Sequence, residues 1–166
     1  MIILGIDPGY AIVGIGVVEY KGNHFRPIAY DAITTHASTA TSLRLVQILD
    51  DINYCLDRFH PDAVAIEELF FNNNAKTALA VAQARGVLIA ATAKRQIPIY
   101  EYTPLQIKQA ITGYGRADKK QMQLMVKSIL NLNAIPRPDD AADALAVAIC
   151  HGNSNAMNEE LGTNRL

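Results

Sequence analysis

Residues 2–9 read Ile2-Ile3-Leu4-Gly5-Ile6-Asp7-Pro8-Gly9. The first five form a short continuous apolar run, the pattern of a strand buried on both faces. Asp7 closes the run and Pro8-Gly9 breaks it, so a carboxylate stands at the C-terminal end of a central strand. β-rich character resumes over residues 12–20 with Val13, Ile15, Val17 and Val18, which predicts a hairpin. A turn at Lys21-Gly22-Asn23 predicts a third strand over residues 24–34.

Strand–helix alternation follows. Leu45, Ile48, Leu49, Ile52, Leu56 and Phe59 fall at helical spacing and give one apolar stripe, ended by Pro61. Residues 62–67 (Asp-Ala-Val-Ala-Ile-Glu) form a second buried strand that also ends on an acid, Glu67. Asn72-Asn73-Asn74 supplies cap chemistry for a long Ala-rich helix to about Arg95. Ile97 to Tyr102 is a fifth strand, and Pro98 favours an edge position. Thr103-Pro104 opens a helix as N-cap and first helical residue. Asp118 with Gln121 resembles a capping box opening a helix to about Leu132. The last helix is expected from Asp139 to about His151, followed by a polar tail. The reading is one α/β domain over residues 1–152 with a tail over 153–166. Its core is a mixed five-stranded sheet flanked by helices on both faces.

The 166 residues suffice for one sizeable core but not for two full lobes of an α/β enzyme. The longest apolar stretch, Ala78 to Ala93, is broken by Gln83 and Arg85, so no membrane span is expected. The N-terminus has neither a basic n-region nor a cleavage site, so a cytoplasmic protein is expected. Cys55 and Cys150 then read as reduced thiols with apolar neighbours. The net charge of −1 hides an asymmetry. Residues 76–137 hold ten basic side chains against two acidic ones, whereas residues 1–75 hold four against nine. A basic block in a near-neutral protein points to a polyanion, with a solvated helical face as the plain alternative.

Three acidic sites share one geometric logic. If the strands ending at Asp7 and Glu67 are parallel neighbours, both carboxylates emerge at one sheet edge, where open α/β sheets bind ligands. The third site is Asp139-Asp140-Ala-Ala-Asp143. There both the 140/143 and the 139/143 spacings put two acids on one helical face. Taken singly, each has a plain reading as a turn, a Lys partner or a helix cap. Brought together, the acids repel and some keep their protons unless cations join them. Mg²⁺ takes oxygen ligands and leaves room for phosphate, and paired ions serve phosphodiester hydrolysis. Acids that hold metal beside bases that hold phosphate are what a nuclease requires.

Other candidates are weaker. His151 lies two turns beyond Asp143, about 12 Å along the helix, and reads as a neighbour of the tail. His24, His36 and His60 read as surface residues. Phe70 and Phe71 could stack on an unpaired base, with a core role as the default. Lys108 and the Lys119-Lys120 pair lie near helix starts, suited to phosphate contact or to plain solvation.

The ordered set Ile3-Leu4-Gly5-Ile6-Asp7-Pro8-Gly9, Ala65-Ile66-Glu67 with Phe70, Gln83-Ala84-Arg85-Gly86, and Asp140-Ala141-Ala142-Asp143-Ala144-Leu145-Ala146 resembles the RuvC family of Holliday-junction resolvases. The resemblance runs from residue 3 to about residue 151. It implies a ribonuclease-H-like fold and a homodimeric Mg²⁺-dependent endonuclease that nicks two strands symmetrically at a four-way DNA junction, leaving 5′-phosphates. Two Mg²⁺ per site are implied, with Mn²⁺ as a substitute. The implied catalytic and metal-holding acids are Asp7, Glu67, Asp140 and Asp143, leaving Asp139 as an extra acid. The junction-contacting aromatic falls on Phe70 and the functional lysines on Lys108 and Lys119, with Lys120 adjacent. Arg116 of the basic block joins them as a DNA-binding candidate. The implied partners are the RuvA and RuvB branch-migration proteins. The Asn72–Asn74 run departs from the family's pattern.

A two-fold dimer suits a junction of approximate two-fold symmetry. The Ala-rich helix allows close helix–helix approach, which nominates Val81, Ala82 and Arg85 as interface residues. Three other readings compete. Gly5-Ile6-Asp7-Pro8-Gly9 before a hairpin also resembles the phosphate loop of actin-like ATPases, whose two lobes this chain is too short to supply. A non-catalytic junction scaffold has no use for clustered acids near DNA. A nuclease acting on RNA or simple duplexes is equally compatible with the residue chemistry.

Overall fold

The computed structural model describes residues 1–69 and 75–158, and side chains outside 75–77 and 155–158. The elements are β1 (Ile2–Asp7), β2 (Ile12–Lys21), β3 (His24–Thr34), α1 (Thr41–Phe59), β4 (Ala63–Glu67), α2 (Ala75–Lys94), β5 (Ile99–Tyr102), α3 (Pro104–Thr112), α4 (Lys119–Ile129) and α5 (Asp139–Asn158). They form one mixed sheet in the order β3-β2-β1-β4-β5. β1–β2 and β2–β3 pair antiparallel, whereas β1–β4 and β4–β5 pair parallel. Central β1 is buried on both sides, as its unbroken apolar run requires, and Pro98 precedes an edge strand.

Two cores lie on opposite faces of the sheet. Leu4, Ile6, Val13, Ile15 and Val17 face Ile48, Ile52 and Leu56 of α1 and Leu88 of α2. Ile3 and Val18 face Leu145 and Ile149 of α5, with Ile107 and Ile111 of α3 and Met122 and Val126 of α4 completing the layer. Capping boxes at Thr103/Gln106 and Asp118/Gln121 open α3 and α4. The Asn72–Asn74 run, read as the cap of α2, lies outside the described residues.

Helix ends differ from the sequence reading where polar residues hide them. α1 begins at Thr41, a turn before its apolar stripe, and His60 closes it in the left-handed conformation. α4 stops at Ile129 rather than Leu132, with Leu130 as its cap. The largest difference is α5, which continues past His151 to Asn158. The boundary expected at residue 152 therefore falls inside a helix. Gly152-Asn153-Ser154 looks like a helix stop. In the fold Gly152 rests against the Phe25 ring, Asn153 Nδ2 donates to the Ala110 carbonyl, and Ser154 Oγ donates to the Cys150 carbonyl. Tertiary contact overrides local propensity there. No helix among the described residues is long and apolar enough to cross a membrane.

Candidate active site

β1 and β4 run in parallel register, Ile6 opposite Ile66, so Asp7 and Glu67 leave the sheet at the same edge. The N-terminus of α5 comes to that edge because glycines of β1 and β2 leave room for its backbone. A Cβ on Gly14 would fall on the Asp140 carbonyl oxygen. One on Gly16 would fall on the Leu145 backbone, and one on Gly5 on the Ala144 carbonyl oxygen. These three glycines let helix backbone lie directly on strand backbone, which carries Asp140 and Asp143 to Asp7.

The electrostatics record the clustering. Burial, and then the charges of Glu67, Asp143 and Asp140, push the Asp7 carboxyl up to about 8, while Lys119 pulls it back. Burial followed by Asp143 pushes Glu67 up to about 7, against Lys108. Burial also raises Asp143, against Lys119. The charges of Glu67, Asp143 and Asp140 thus all reach Asp7, and that of Asp143 reaches Glu67. Asp139 is not among the charges that reach Asp7: its carboxylate accepts from Arg137 Nη1 at 2.5 Å and lies 3.6 Å from Lys119, the lysine it shares with Asp143.

Lys119 Nζ lies 3.3 Å from Asp143. It lines a cleft of about 320 Å³ with Glu67, Lys108, Asp143, Pro104, Ile107, Met122 and Ala146. Of the two adjacent lysines it is thus Lys119 that reaches the acids, whereas Lys120 is an exposed neighbour on α4. Arg116 is exposed just before that helix. Phe70 and Phe71 lie outside the described residues. On the other side of the acids, Asp140, Gly9, Tyr10, Ala11, Ile12, Ala80 and Val81 line a second hollow of about 530 Å³.

The donor set fits a hard divalent cation: carboxylate oxygens with an excess of negative charge held at a part-buried edge. Among the described residues no three His, Cys, Asp or Glu side chains are yet drawn up to hold an ion.

The family model for the crossover junction endodeoxyribonuclease RuvC matches residues 3–151. The chain belongs to the RuvC family. A RuvC crossover junction endodeoxyribonuclease of Ruminiclostridium cellulolyticum is 60% identical over 165 residues, 99% of both chains. Its counterpart in Alkaliphilus oremlandii is 55% identical over 96% of this chain and 97% of that one. The structure of Thermus thermophilus RuvC in complex with Holliday junction substrate superposes with a TM-score of 0.94 at 37% identity, covering 100% of this chain and 99% of the other. The ribonuclease-H-like fold implied by the sequence motifs is the fold of this family. Its members are metal-dependent nucleases, hydrolases of DNA phosphodiesters.

The interface candidates on α2 fare unevenly. Arg85 turns inward, its guanidinium paired with Glu101 of β5 in the same chain. Val81 lines the hollow beside Asp140, and Ala82 is half-buried. Among the described side chains of α2 the exposed ones are Leu79, Gln83, Gly86, Ala90, Ala93 and Lys94. His24, His36 and His60 are exposed, as read from the sequence. His151 is not: it is fully buried and hydrogen-bonded through Nδ1 to the Tyr102 hydroxyl at 2.7 Å. Cys55 and Cys150 are free thiols, pushed up by burial to about 11 and about 12. The sequence reading also missed Arg44, which is buried, stacks on the Tyr10 ring at 3.7 Å and donates to the Tyr10 carbonyl and to Thr35 Oγ1. It fixes the turn that follows Asp7. An Arg set between Leu43 and Leu45 in α1 was the signal available.

Proposed function

We propose that the chain is a structure-specific endonuclease that resolves four-way (Holliday) DNA junctions during recombination and repair. It works in the cytoplasm as a homodimer with Mg²⁺ as cofactor, two ions per site, and Mn²⁺ can substitute. One observation carries this reading. Four carboxylates from β1, β4 and α5 are electrostatically coupled at one sheet edge, beside a cleft that presents Lys108 and Lys119.

Asp7, Glu67, Asp140 and Asp143 hold the ions. When bound, Mg²⁺ supplies Lewis-acid polarisation of the phosphodiester and eases ionisation of the attacking water. The protein's own groups do the rest. The carboxylates supply the negative charge that selects divalent cations. Lys108 and Lys119 position phosphate oxygens at the cleft, and exposed Arg116 and Lys120 hold the neighbouring backbone. Phe70 stacks on an unpaired base at the branch point. Hydrolysis breaks the bond to the 3′ oxygen and leaves a 5′-phosphate. Two such sites related by a dimer axis act on two equivalent strands. RuvA and RuvB deliver the junction.

The test is a synthetic four-way junction with Mg²⁺, nick mapping, and Asp7→Asn in parallel. Paired symmetric nicks, lost in Asp7→Asn while junction binding persists, are expected. Binding without nicks in either protein, on mobile as well as fixed junctions, would favour a scaffold and overturn the nuclease reading.

A further inference from the structure

Tyr102 ends β5 directly opposite Glu67 in the parallel register, and its carbonyl accepts the Glu68 N–H at 2.9 Å. The main chain just after Glu67 is thus tied to Tyr102. The Tyr102 side chain crosses to α5, where its hydroxyl meets His151 Nδ1 at 2.7 Å. The His151 ring lies 4.4 Å from the Tyr100 ring and 5.9 Å from that of Tyr102. Tyr102 is 2% exposed and His151 0%. The strand end that carries Glu67 and the helix that carries Asp140 and Asp143 are therefore joined by a dry polar link, two helical turns from Asp143.

We infer that the Tyr102–His151 hydrogen bond is a positioning brace that sets Glu67 against the α5 carboxylates. The inference rests on the reading of those four acids as the metal site. On the β1 side, backbone-to-backbone contact at Gly5, Gly14 and Gly16 already locks α5 in place. On the β4–β5 side, α5 has no such close contact with strand backbone through a glycine, and the side-chain link takes over. Buried, satisfied polar pairs admit one geometry where apolar contacts admit several. Outer groups that orient metal-holding side chains change metal affinity when removed, by roughly 10–100-fold. Tyr102 and His151 act only through Glu67 and α5, so they are positioning residues.

The test uses the full chain with Tyr102→Phe, His151→Leu and His151→Asn, the last keeping a polar atom near the Nδ1 position. Cys150→Ala, a neighbouring buried change on α5, controls for lost packing. Readouts are kcat and KM on a four-way junction, the affinity of the protein alone for Mn²⁺, and melting temperature. Tyr102→Phe and His151→Leu are expected to lower kcat and Mn²⁺ affinity about tenfold with KM within twofold. His151→Asn is expected to recover most of both. Cys150→Ala is expected to lower the melting temperature while leaving kcat and Mn²⁺ affinity in place. Wild-type kcat and Mn²⁺ affinity in Tyr102→Phe would overturn the brace, as would equal defects in His151→Asn and His151→Leu. Asp7→Asn separates the two layers: if it still cleaves, the metal-site reading fails and takes the brace with it. If it is dead while Tyr102→Phe is unaffected, the brace alone fails.

Discussion

Lys119 holds its ammonium 3.3 Å from the Asp143 carboxylate at the mouth of the acid cluster. Burial works to deprotonate this lysine, but Asp143, Asp139 and Asp140 outweigh it and raise its pKa. The ammonium competes with any cation for the same oxygens while also facing the cleft where phosphate would lie. Lys119→Ala should therefore separate two properties. Mn²⁺ should bind the protein alone a few-fold more tightly, and junction cleavage should fall. The pair is more than half exposed on the lysine side, so stability should shift by less than about 1 kcal/mol. Titration of Mn²⁺ into wild type and variant checks the sign, and weaker binding in Lys119→Ala would refute the competition.

The coupled acids make stability depend on pH in a defined direction. Asp7 and Glu67 sit at about 8 and about 7 in the folded protein, above their ordinary values of 3.8 and 4.5. The folded state then holds protons that the unfolded chain has lost, so stability falls as pH rises through this window. His151 works the other way, because burial pushes it down to about 4 from 6.5. Its contribution is present above about 6.5 and lost as pH falls toward 4. Between pH 6.5 and 8.5 only the acids act. The metal-free melting temperature should fall over that interval, less so with saturating Mg²⁺ and less so in Asp7→Asn. A melting temperature that rises from pH 6.5 to 8.5 without metal would contradict the coupling.

Gly14 is occupied from above by the backbone of Asp140. Gly14→Ala must push the start of α5 away from β2, with an overpacking cost of about 1–3 kcal/mol. The displaced backbone belongs to one of the four acids. Cleavage should drop about 100-fold, as follows from misplacing a reacting group by about 1 Å, while the folded protein and its junction binding survive. Circular dichroism and a gel-shift titration beside the cleavage assay would check this. Near-wild-type cleavage would mean that the contact between β2 and α5 does not set the site.

The strand set was legible because each strand carries its own signature; the parallel pairing of the two acid-ended strands stood only as a condition, which the β1–β4 register meets, and the order within the sheet came from the structure. Which of Asp139 and Asp140 turns its charge toward Asp7 was not legible from spacing. It depends on the rotation of α5 against β2, fixed by glycines that spacing arguments do not weigh. Tyr102 and His151 lie 49 residues apart, and nothing local in either marks a partner. His151 followed by Gly152-Asn153-Ser154 looked like the fraying end of a helix, whereas the contacts that prolong α5 come from Phe25 and Ala110. On α2 the obstacle was composition. With alanines on every side, the helix has too weak an apolar face for its outward stripe to be read, so Val81, Ala82 and Arg85 were singled out although Arg85 belongs to Glu101.

That stripe gives the last expectation. Leu79, Gln83, Gly86, Ala90 and Ala93 recur at spacings of three and four, so they align along one exposed face of α2. Leu79, a large apolar side chain at one end of the row, is 67% exposed; Gly86, Ala90 and Ala93 at the other end are small, and a Cβ at Gly86 would meet nothing within 4 Å. Small residues in such a row let a second helix approach closely. If dimerisation uses this face, Ala90→Glu places like charges against each other across the two-fold axis in a desolvated interface. The dimer dissociation constant should rise at least 100-fold, about 2.7 kcal/mol. The exposed position on α2 should leave the monomer folded. Cleavage should change from paired to single nicks, because one active site then meets the junction at a time. Analytical ultracentrifugation gives the first outcome and nick mapping on a cruciform plasmid the second. Val81→Glu is the contrast: it faces the hollow beside Asp140, so it should impair cleavage while leaving the dimer intact. A dimer that survives Ala90→Glu but is broken by Val81→Glu would return the interface to the side of α2 that faces the acids.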